Sequence, residues 1–221
     1  MKKALILVFA ILLLDQALKF YIKTTMYLGQ EYNVLGDWFI IHFTENEGMA
    51  FGWKFAGEYG KLFLSLFRIA AITAIFWYLY KIIRQKEDKI LILSVSFILA
   101  GAIGNIIDSA FYGLIFNESG DYFNPGLAVL FPEGGGYATF LHGKVVDMFY
   151  FPIIKGTYPD WSPFNAGYEF IFFRPVFNIA DASISVGVII LILFQKRIFK
   201  QKEVLVEEIE QSETKLADGL A

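Results

Sequence analysis

Two aspartates in apolar surroundings are the residues of this chain best suited to acid–base chemistry. Asp147 lies in the stretch VVDMFYF, and Asp181 lies in FNIADASIS, directly before the apolar run VGVIILILF. An apolar setting raises the pKa of a carboxyl group such as Asp147, because burial disfavours the charged form. Asp181 falls in the first turn of the helix that the apolar run predicts, where the helix dipole favours a negative charge.

If the chain brings these two carboxyl groups together, they share one proton, since adjacent carboxylates cannot both ionise at low cost. One carboxylate can then take a proton from water while the other, protonated, polarises a carbonyl group. The pair titrates as a unit. The difference in setting favours Asp181 as the base, and the pattern predicts hydrolysis by water activated between two aspartates.

The composition indicates where this chemistry takes place. Of 221 residues, 56% are hydrophobic and 19% are charged, with a mean hydropathy of +0.51, whereas soluble domains are about 45–50% apolar and about 25% charged. We therefore expect an integral membrane protein of one domain. Cysteine is absent and the two histidines, His42 and His142, have no suggestive spacing, which excludes disulfides, thiol nucleophiles and cysteine metal sites and agrees with a metal-free site. The net charge of −3 argues against nucleic-acid binding.

Four stretches approach the roughly 20 apolar residues that a membrane-spanning helix needs. They cover about residues 4–22, 62–80, 90–107 and 176–194. The first has a basic start and resembles a signal peptide. No A-x-A cleavage pattern follows it, and the apolar character resumes after Lys19, which favours an uncleaved span.

Basic residues predict the orientation of these spans, because Lys and Arg concentrate on the cytoplasmic side. Ten of them flank the spans at both termini and in the loop between spans two and three, whereas 23–61 and 108–175 together carry six. We therefore expect both termini in the cytoplasm and 23–61 and 108–175 outside. The ten are Lys2, Lys3, Lys81, Arg84, Lys86, Lys89, Lys196, Arg197, Lys200 and Lys202.

The two outer connections carry structure of their own. Residues 31–56 mix apolar runs with turn residues, which predicts short strands, and 108–175 is rich in aromatic residues broken by Gly and Pro. Such aromatic residues favour the headgroup zone. We expect a mainly α membrane protein with a small, partly β platform on the outer leaflet. Residues 1–202 would form one four-span domain, and the acidic tail 203–221 would be a frayed helix or disordered.

Polar side chains from three spans converge at the predicted outer end of the membrane. Residues three or four apart share a helix face, and each of these groups does. They are Asp15 and Lys19 in span one; Gly101, Gly104, Asn105 and Asp108 in span three; and Asn178, Asp181 and Ser185 in span four. Because carboxylates inside spans are rare and usually functional, this convergence predicts a site.

Alternative readings of these residues stay open. The glycines could be helix-packing notches, Asp15 and Lys19 a structural ion pair, Asn105 an interhelical hydrogen-bonding residue, and Ser185 without a role. A small transporter or channel would also use intramembrane charges, although its polar groups would spread across the bilayer depth. A noncatalytic scaffold would tolerate loss of either Asp147 or Asp181.

Five motifs give the chain a resemblance to a known family. They are DQALK (15–19), NEGMAFG (46–52), GAIGNIID (101–108), VVD (145–147) and FNIADASI (177–184). In this order the sequence resembles the lipoprotein signal peptidases, the type II signal peptidases of bacteria. The resemblance implies that Asp147 and Asp181 are the catalytic dyad. The residues that would shape the site and hold the substrate are Asp15, Lys19, Asn46, Gly101, Asn105, Asp108, Asn178 and Ala180.

The resemblance also implies an activity and a location. Members of this family remove the signal peptide from a prolipoprotein whose cysteine carries a diacylglyceryl group, cutting just before that cysteine and without a cofactor. We therefore expect a multi-pass protein of the bacterial cytoplasmic (inner) membrane, with its site at the outer leaflet and the substrate's acyl chains in membrane lipid. Globomycin-type peptides inhibit the family, so they are expected inhibitors here.

The chain departs from the family pattern at two places. The family usually has Arg directly after the third-span aspartate, where this chain has Ser109. Arg68 and Arg174 are candidates to supply a cation instead. Second, 38 residues separate Asp108 from Asp147, and the family link is usually short. This insertion, 109–146, could be a lid, a substrate platform, a partner surface or an elaboration without a catalytic role.

Overall fold

The computed structural model describes residues 2–47, 57–161, 163 and 167–218, and of residues 57–59 and 199–218 it describes the backbone alone. Helices alternate with short strands along the chain. In order, the elements are α1 (Lys2–Thr25), β1 (Glu31–Leu35), β2 (Phe39–Asn46), α2 (Gly57–Arg84), α3 (Lys89–Ile107), a π-helical turn (Asp108–Tyr112), α4 (Gly113–Ile115), β3 (Val145–Tyr150), β4 (Ile154–Thr157), β5 (Glu169–Phe172), β6 (Val176–Phe177) and α5 (Ile179–Asp218).

Four helical stretches among the described residues are long and apolar enough to cross a membrane: Lys2–Thr25, Gly60–Arg84, Lys89–Ile115 and Ile179–Ile198. They confirm the four predicted spans, with wider bounds for the first three. The fourth begins later than expected, because Val176 and Phe177 form strand β6 and the helix starts at Ile179. Large apolar side chains such as Ile6, Phe9 and Phe63 are exposed along these helices, as a lipid-facing surface requires.

Helix α3 is the centre of the bundle and contacts α1, α2 and α5. Glycines bring α5 close to it: a Cβ at Gly101 would lie 2.1 Å from the carbonyl oxygen of Ala180, and one at Gly187 would lie 2.6 Å from that of Ser94. Small residues allow this approach of two membrane helices. Gly101 therefore lies at a close contact between α3 and α5.

The third span does not end at 107 but continues through the π-helical turn into α4, and this region is buried at Asp108, Ser109 and Tyr112. A π-helical turn widens the helix by one residue and often occurs at functional sites. Here it turns the Asp108 carboxylate and the Tyr112 hydroxyl towards the same side chain of α1, that of Gln16.

An antiparallel four-stranded sheet, ordered β1-β2-β3-β6, covers one end of the bundle, and β4 and β5 form a separate hairpin. Strands β1 and β2 confirm the predicted strands at 31–46, whereas residues 48–56 lie outside the described residues. In the β2–β3 register, Thr44 is opposite Asp147 and Asn46 is opposite Val145. A core cluster that includes Ile22, Phe43, Val146 and Met148 joins α1 to this sheet.

The C-terminal segment continues the fourth helix. The backbone of residues 203–218 is part of α5, which runs to Asp218. The acidic tail therefore takes the helical alternative rather than the disordered one as far as the structure describes it.

Candidate functional site

The start of helix α5 holds Asp181 in a reciprocal capping arrangement. The side-chain oxygen of Asn178 accepts a hydrogen bond of 2.9 Å from the backbone N–H of Asp181, and the Asp181 carboxylate accepts one of 3.3 Å from the backbone N–H of Asn178. This is a capping box, which satisfies the free N–H groups at a helix start. It fixes the carboxylate of Asp181 against the helix terminus.

The same asparagine contacts the second aspartate. The amide nitrogen of Asn178 donates to Oδ1 of Asp147 over 2.7 Å, and Asn46 of β2 donates to the other oxygen, Oδ2. Asn178 is fully buried and Asp147 nearly so. The two aspartates, 34 positions apart in the chain, thus both contact the side chain or backbone of Asn178.

The environment of Asp147 favours its protonated form. Burial, and next the nearby charge of Asp181, raise the pKa of Asp147 to about 7, while the hydrogen bond from Asn46, the charge of Lys19 and the bond from Asn178 oppose that rise. Burial disfavours the ionised carboxyl group because water no longer solvates it. Near neutral pH the pair can therefore hold one proton.

Three buried charges form a frame behind the pair. The Lys19 ammonium lies 2.9 Å from Oδ2 of Asp15 and 2.8 Å from Oδ2 of Asp108, and all three side chains are inaccessible to solvent. Asp108 also accepts a hydrogen bond from the backbone N–H of Val146, the residue before Asp147. The predicted pair of Asp15 and Lys19 is therefore one part of a larger network that reaches the sheet.

Gln16 completes this network, although the sequence analysis did not single it out. Its amide nitrogen donates to the carboxylates of Asp15 and Asp108, and its oxygen accepts from the Tyr112 hydroxyl over 3.1 Å. A polar residue beside Asp15 in an apolar span was the signal that could have found it. Gln16 satisfies carboxylate oxygens that burial would otherwise leave without donors.

Asn105 connects the frame to Asp181. Its oxygen accepts from Lys19 over 3.0 Å, and its amide nitrogen donates to Oδ1 of Asp181 over 2.7 Å. Asn178 also donates to Asn105. Asn105 is therefore an interhelical hydrogen-bonding residue and a contact of the pair at the same time.

Ala180 explains why small residues flank the site. Its backbone N–H donates to Oδ1 of Asp15 over 2.9 Å, and its carbonyl and methyl groups lie against Gly101 and Gly104. A side chain at Gly104 would place its Cβ 2.9 Å from both Ala180 Cβ and Asp15 Oδ2. Close helix approach and the position of Asp15 depend on the same contact.

The position after Asp108 supplies no cation. The Ser109 hydroxyl is buried and donates back to the carbonyl of Asn105. Of the two candidate cations, Arg174 is exposed, whereas half-buried Arg68 of α2 interacts electrostatically with both Asp181 and Asp147. Arg68 is the candidate that the fold brings to the pair.

Ser185, expected on the face of Asn178 and Asp181, is exposed. In the motif NEGMAFG, Asn46 and Glu47 are described, but residues 48–52 lie outside the described residues. Asp15, Lys19, Asn46, Gly101, Asn105, Asp108, Asn178 and Ala180 are all brought to the surroundings of Asp147 and Asp181.

The four apolar helices define a multi-pass membrane protein, and Asp147 and Asp181 contact one asparagine at one end of these helices. Comparison with known sequences gives the family: the profile described as Signal peptidase (SPase) II matches residues 7–197. The chain belongs to this family and is therefore a peptidase.

Curated relatives carry a more specific name. The chain is similar to a lipoprotein signal peptidase of Porphyromonas gingivalis, with 52% identity over 192 residues that cover 86% of this chain and 81% of the relative. It is also similar to a lipoprotein signal peptidase of Amoebophilus asiaticus, with 34% identity over 208 residues, 93% of this chain and 82% of the relative. These relatives support the resemblance read from the five motifs.

Solved structures support the fold. Two bacterial membrane enzyme structures, determined by the in meso method at 2.3 and 1.9 Å resolution, align with TM-scores of 0.60 and 0.57. The alignment with the first structure has 21% identity and covers 91% of this chain and 92% of the other chain. The alignment with the second has 23% identity and covers 87% of this chain and 92% of the other chain. The overall fold of this chain is thus similar to that of two known bacterial membrane enzymes.

Proposed function

We propose that this chain removes the signal peptide from diacylglyceryl-modified prolipoproteins, cutting just before the lipidated cysteine, and that Asp147 and Asp181 activate the attacking water. The observation that carries the proposal is the joint attachment of the two carboxyl groups to Asn178. One fixed group holds two acids from different elements near each other, at the N-terminus of a membrane helix.

The two aspartates take different parts in this reaction. The carboxylate of Asp181 accepts a proton from water as the water oxygen attacks the scissile carbonyl carbon, and protonated Asp147 donates to the carbonyl oxygen. In the second step the C–N bond breaks, Asp181 returns the proton to the leaving nitrogen, and Asp147 recovers its proton as the new carboxyl group forms. The raised pKa of Asp147, caused first by its burial, supports its assignment as the acid.

The charge distribution supports a membrane position for the site. The basic residues that flank the spans favour both termini in the cytoplasm, and with this orientation the pair, at the start of α5, lies at the outer leaflet of the bacterial inner membrane. A diacylglyceryl group anchored in that leaflet brings its cysteine to the same depth, with the acyl chains in membrane lipid. Globomycin-type peptides, which the family resemblance implies as inhibitors, would compete for this site.

The experiment is cleavage of a purified, diacylglyceryl-modified prolipoprotein by the purified full chain in lipid. We expect a product shortened by its signal peptide, no product with Asp147→Asn or Asp181→Asn, and no effect of a chelator. Mass spectrometry of the product locates the cut relative to the cysteine. Cleavage by both variants at the normal rate contradicts the dyad. If the protein were instead a noncatalytic scaffold or a transporter, the unmodified chain would leave the substrate intact.

A further inference from the structure

A second buried ammonium group lies outside the frame described above. Lys23 is one helical turn beyond Lys19 on α1 and is inaccessible to solvent. Its Nζ contacts Oε1 of Glu45 and donates to the Ser119 hydroxyl over 2.9 Å, and Ser119 in turn donates to Glu45 over 2.9 Å. We call Lys23, Glu45 and Ser119 the Lys23 cluster.

Aromatic rings enclose this cluster. The Lys23 ammonium lies 5.3 Å from the ring centre of Phe116 and 5.2 Å from that of Tyr137. A cation over an aromatic face is stabilised, most strongly where water is excluded. The cluster is therefore a built internal contact rather than a surface ion pair.

Glu45 is directly followed by Asn46, the residue that donates to Asp147. Successive side chains of a strand point to opposite faces, so Glu45 extends towards α1 while Asn46 extends towards the pair. In the register of β2 with β3, Glu45 is opposite Val146 and Asn46 is opposite Val145. Fixing the side chain of Glu45 therefore fixes the end of the strand that presents Asn46.

The insertion 109–146 supplies the third member of the cluster and is itself attached to the third span. Gly143 donates its backbone N–H to the carbonyl of Ser109 over 2.8 Å, and Ala138 donates to that of Gly113 over 2.9 Å. Ser65 of α2 donates to the carbonyl of Leu141 over 3.0 Å. Residues 138–143 of the insertion thus contact α2, the π-helical turn and α4 just before β3 begins.

We infer that Lys23 is a positioning residue for the peptidase reaction: through Glu45 and Ser119 of the insertion it holds strand β2 so that Asn46 donates to Asp147. This inference rests on the proposed role of Asp147. It gives the insertion a part in the site, because Ser119 and the rings of Phe116 and Tyr137 belong to it.

The charged groups around these residues come from every neighbouring element. Lys23 interacts electrostatically with Glu45 and also with Lys144 and Asp108. Lys61 of α2 interacts electrostatically with Glu45. The charges of Asp181, Lys19 and Arg68 interact with the carboxyl group of Asp147. Variants of the Lys23 cluster leave the groups that act on Asp147 in place, apart from the Asn46 hydrogen bond.

The test measures the pH dependence of prolipoprotein cleavage in variants of the cluster, alone and combined with Asn46→Ala. The bond from Asn46 lowers the pKa of Asp147, so its loss moves the alkaline limb of the pH profile to higher pH. Two variants should also move the alkaline limb of the pH profile to higher pH. One is Ser119→Ala, a small change that should fold, and the other is the charge-free double variant Lys23→Met/Glu45→Gln. They should also lower kcat by roughly tenfold, since a small misplacement near the reacting groups is costly.

Coupling to Asn46 distinguishes positioning from a loss of stability. In the Asn46→Ala background, the cluster variants should cause no further shift, because the contact they act through is already absent. Equal shifts in both backgrounds, or a lowered Tm with an unchanged pH profile, overturn the inference. Glu118→Gln is the matched control: it breaks the exposed pair with Lys144 in the same insertion and should leave the profile unchanged. If the unmodified chain cleaves nothing, or Asp147→Asn still cleaves, the proposed function itself fails.

Discussion

The side-chain amide of Asn178 donates a hydrogen bond of 2.7 Å to Oδ1 of Asp147. The same residue caps the helix that carries Asp181. One asparagine therefore determines both where α5 starts and how far apart the two carboxyl groups can lie. Its two tasks can be separated by substitution.

Asn178→Ser should retain the helix cap and lose activity. A serine hydroxyl accepts the cap bond from Asp181 but is too short to reach Asp147 as well. We expect a fall in kcat of roughly a hundredfold from the misplaced carboxyl group, with a nearly unchanged Tm. Asn178→Ala should lose similar activity and also about 1 kcal/mol of stability from the missing cap. Thermal unfolding in detergent and initial cleavage rates distinguish the two variants, and equal Tm losses would contradict the separation.

Cleavage should decline as the pH rises through about 7. Asp147 must carry a proton to polarise the scissile carbonyl, and the pKa of Asp147, raised mainly by burial, is about 7. Below that value the acid is protonated, and above it the proton is lost, so the alkaline limb of kcat/KM reports this group in the free enzyme. Initial rates between pH 5 and pH 10 test this. A rate that keeps increasing to the alkaline end would remove Asp147 as the acid.

Arg68→Gln should move that alkaline limb to higher pH. Arg68 interacts electrostatically with Asp147 and Asp181, and a nearby cation favours the ionised form of a carboxyl group. Without the cation, the pKa of Asp147 increases and the group keeps its proton longer. Arg68→Lys retains the charge and should keep the limb close to its original position. An unchanged limb in Arg68→Gln would mean that Arg68 does not act on the reaction.

The sequence predicted the features that depend on local composition. Apolar length located the four spans, and the helical spacing of Asp15, Lys19, Asn105 and Asp108 brought them to one end of the bundle. The reciprocal cap that fixes the Asp181 carboxylate was not predicted from the sequence, although the capping residue, Asn178, lies in the same motif.

Tertiary contacts determine the features that the sequence did not indicate. Gln16 and Lys23 acquire their partners from α3, β2 and the insertion, at separations of 22 to 96 residues. No local sequence pattern predicts which distant carboxylate or hydroxyl group will contact a buried ammonium group. The continuation of span three past Asp108 depends likewise on the π-helical turn and on the burial of Tyr112 in the core cluster with Ile22 and Phe43.

Lys19→Met should destabilise the fold more than Asp108→Asn. Lys19 is the cation between Asp15 and Asp108, and its removal leaves two buried carboxylates without a counter-ion, at a cost of about 3–5 kcal/mol. Asp108→Asn leaves Asp15 and Lys19 as a matched pair, and an asparagine oxygen can still accept from the ammonium. Denaturation of both variants in detergent gives the comparison. Equal losses would show that the charge balance of the frame contributes little.

Gly104→Ala should disturb both stability and activity, because its Cβ would lie 2.9 Å from Ala180 Cβ and from Oδ2 of Asp15. Neither neighbour is the free end of a flexible chain: Ala180 is fixed in the first turn of α5, and Asp15 is held by Lys19. Relieving the overlap requires α3 and α5 to separate, at a cost of about 1–3 kcal/mol, and this moves Asp181 relative to Asp147. Gly134→Ala is the matched control, since a Cβ there meets nothing within 4 Å. If Gly104→Ala cleaves prolipoprotein as fast as Gly134→Ala and unfolds at the same temperature, then close packing of α3 against α5 does not set the position of the pair.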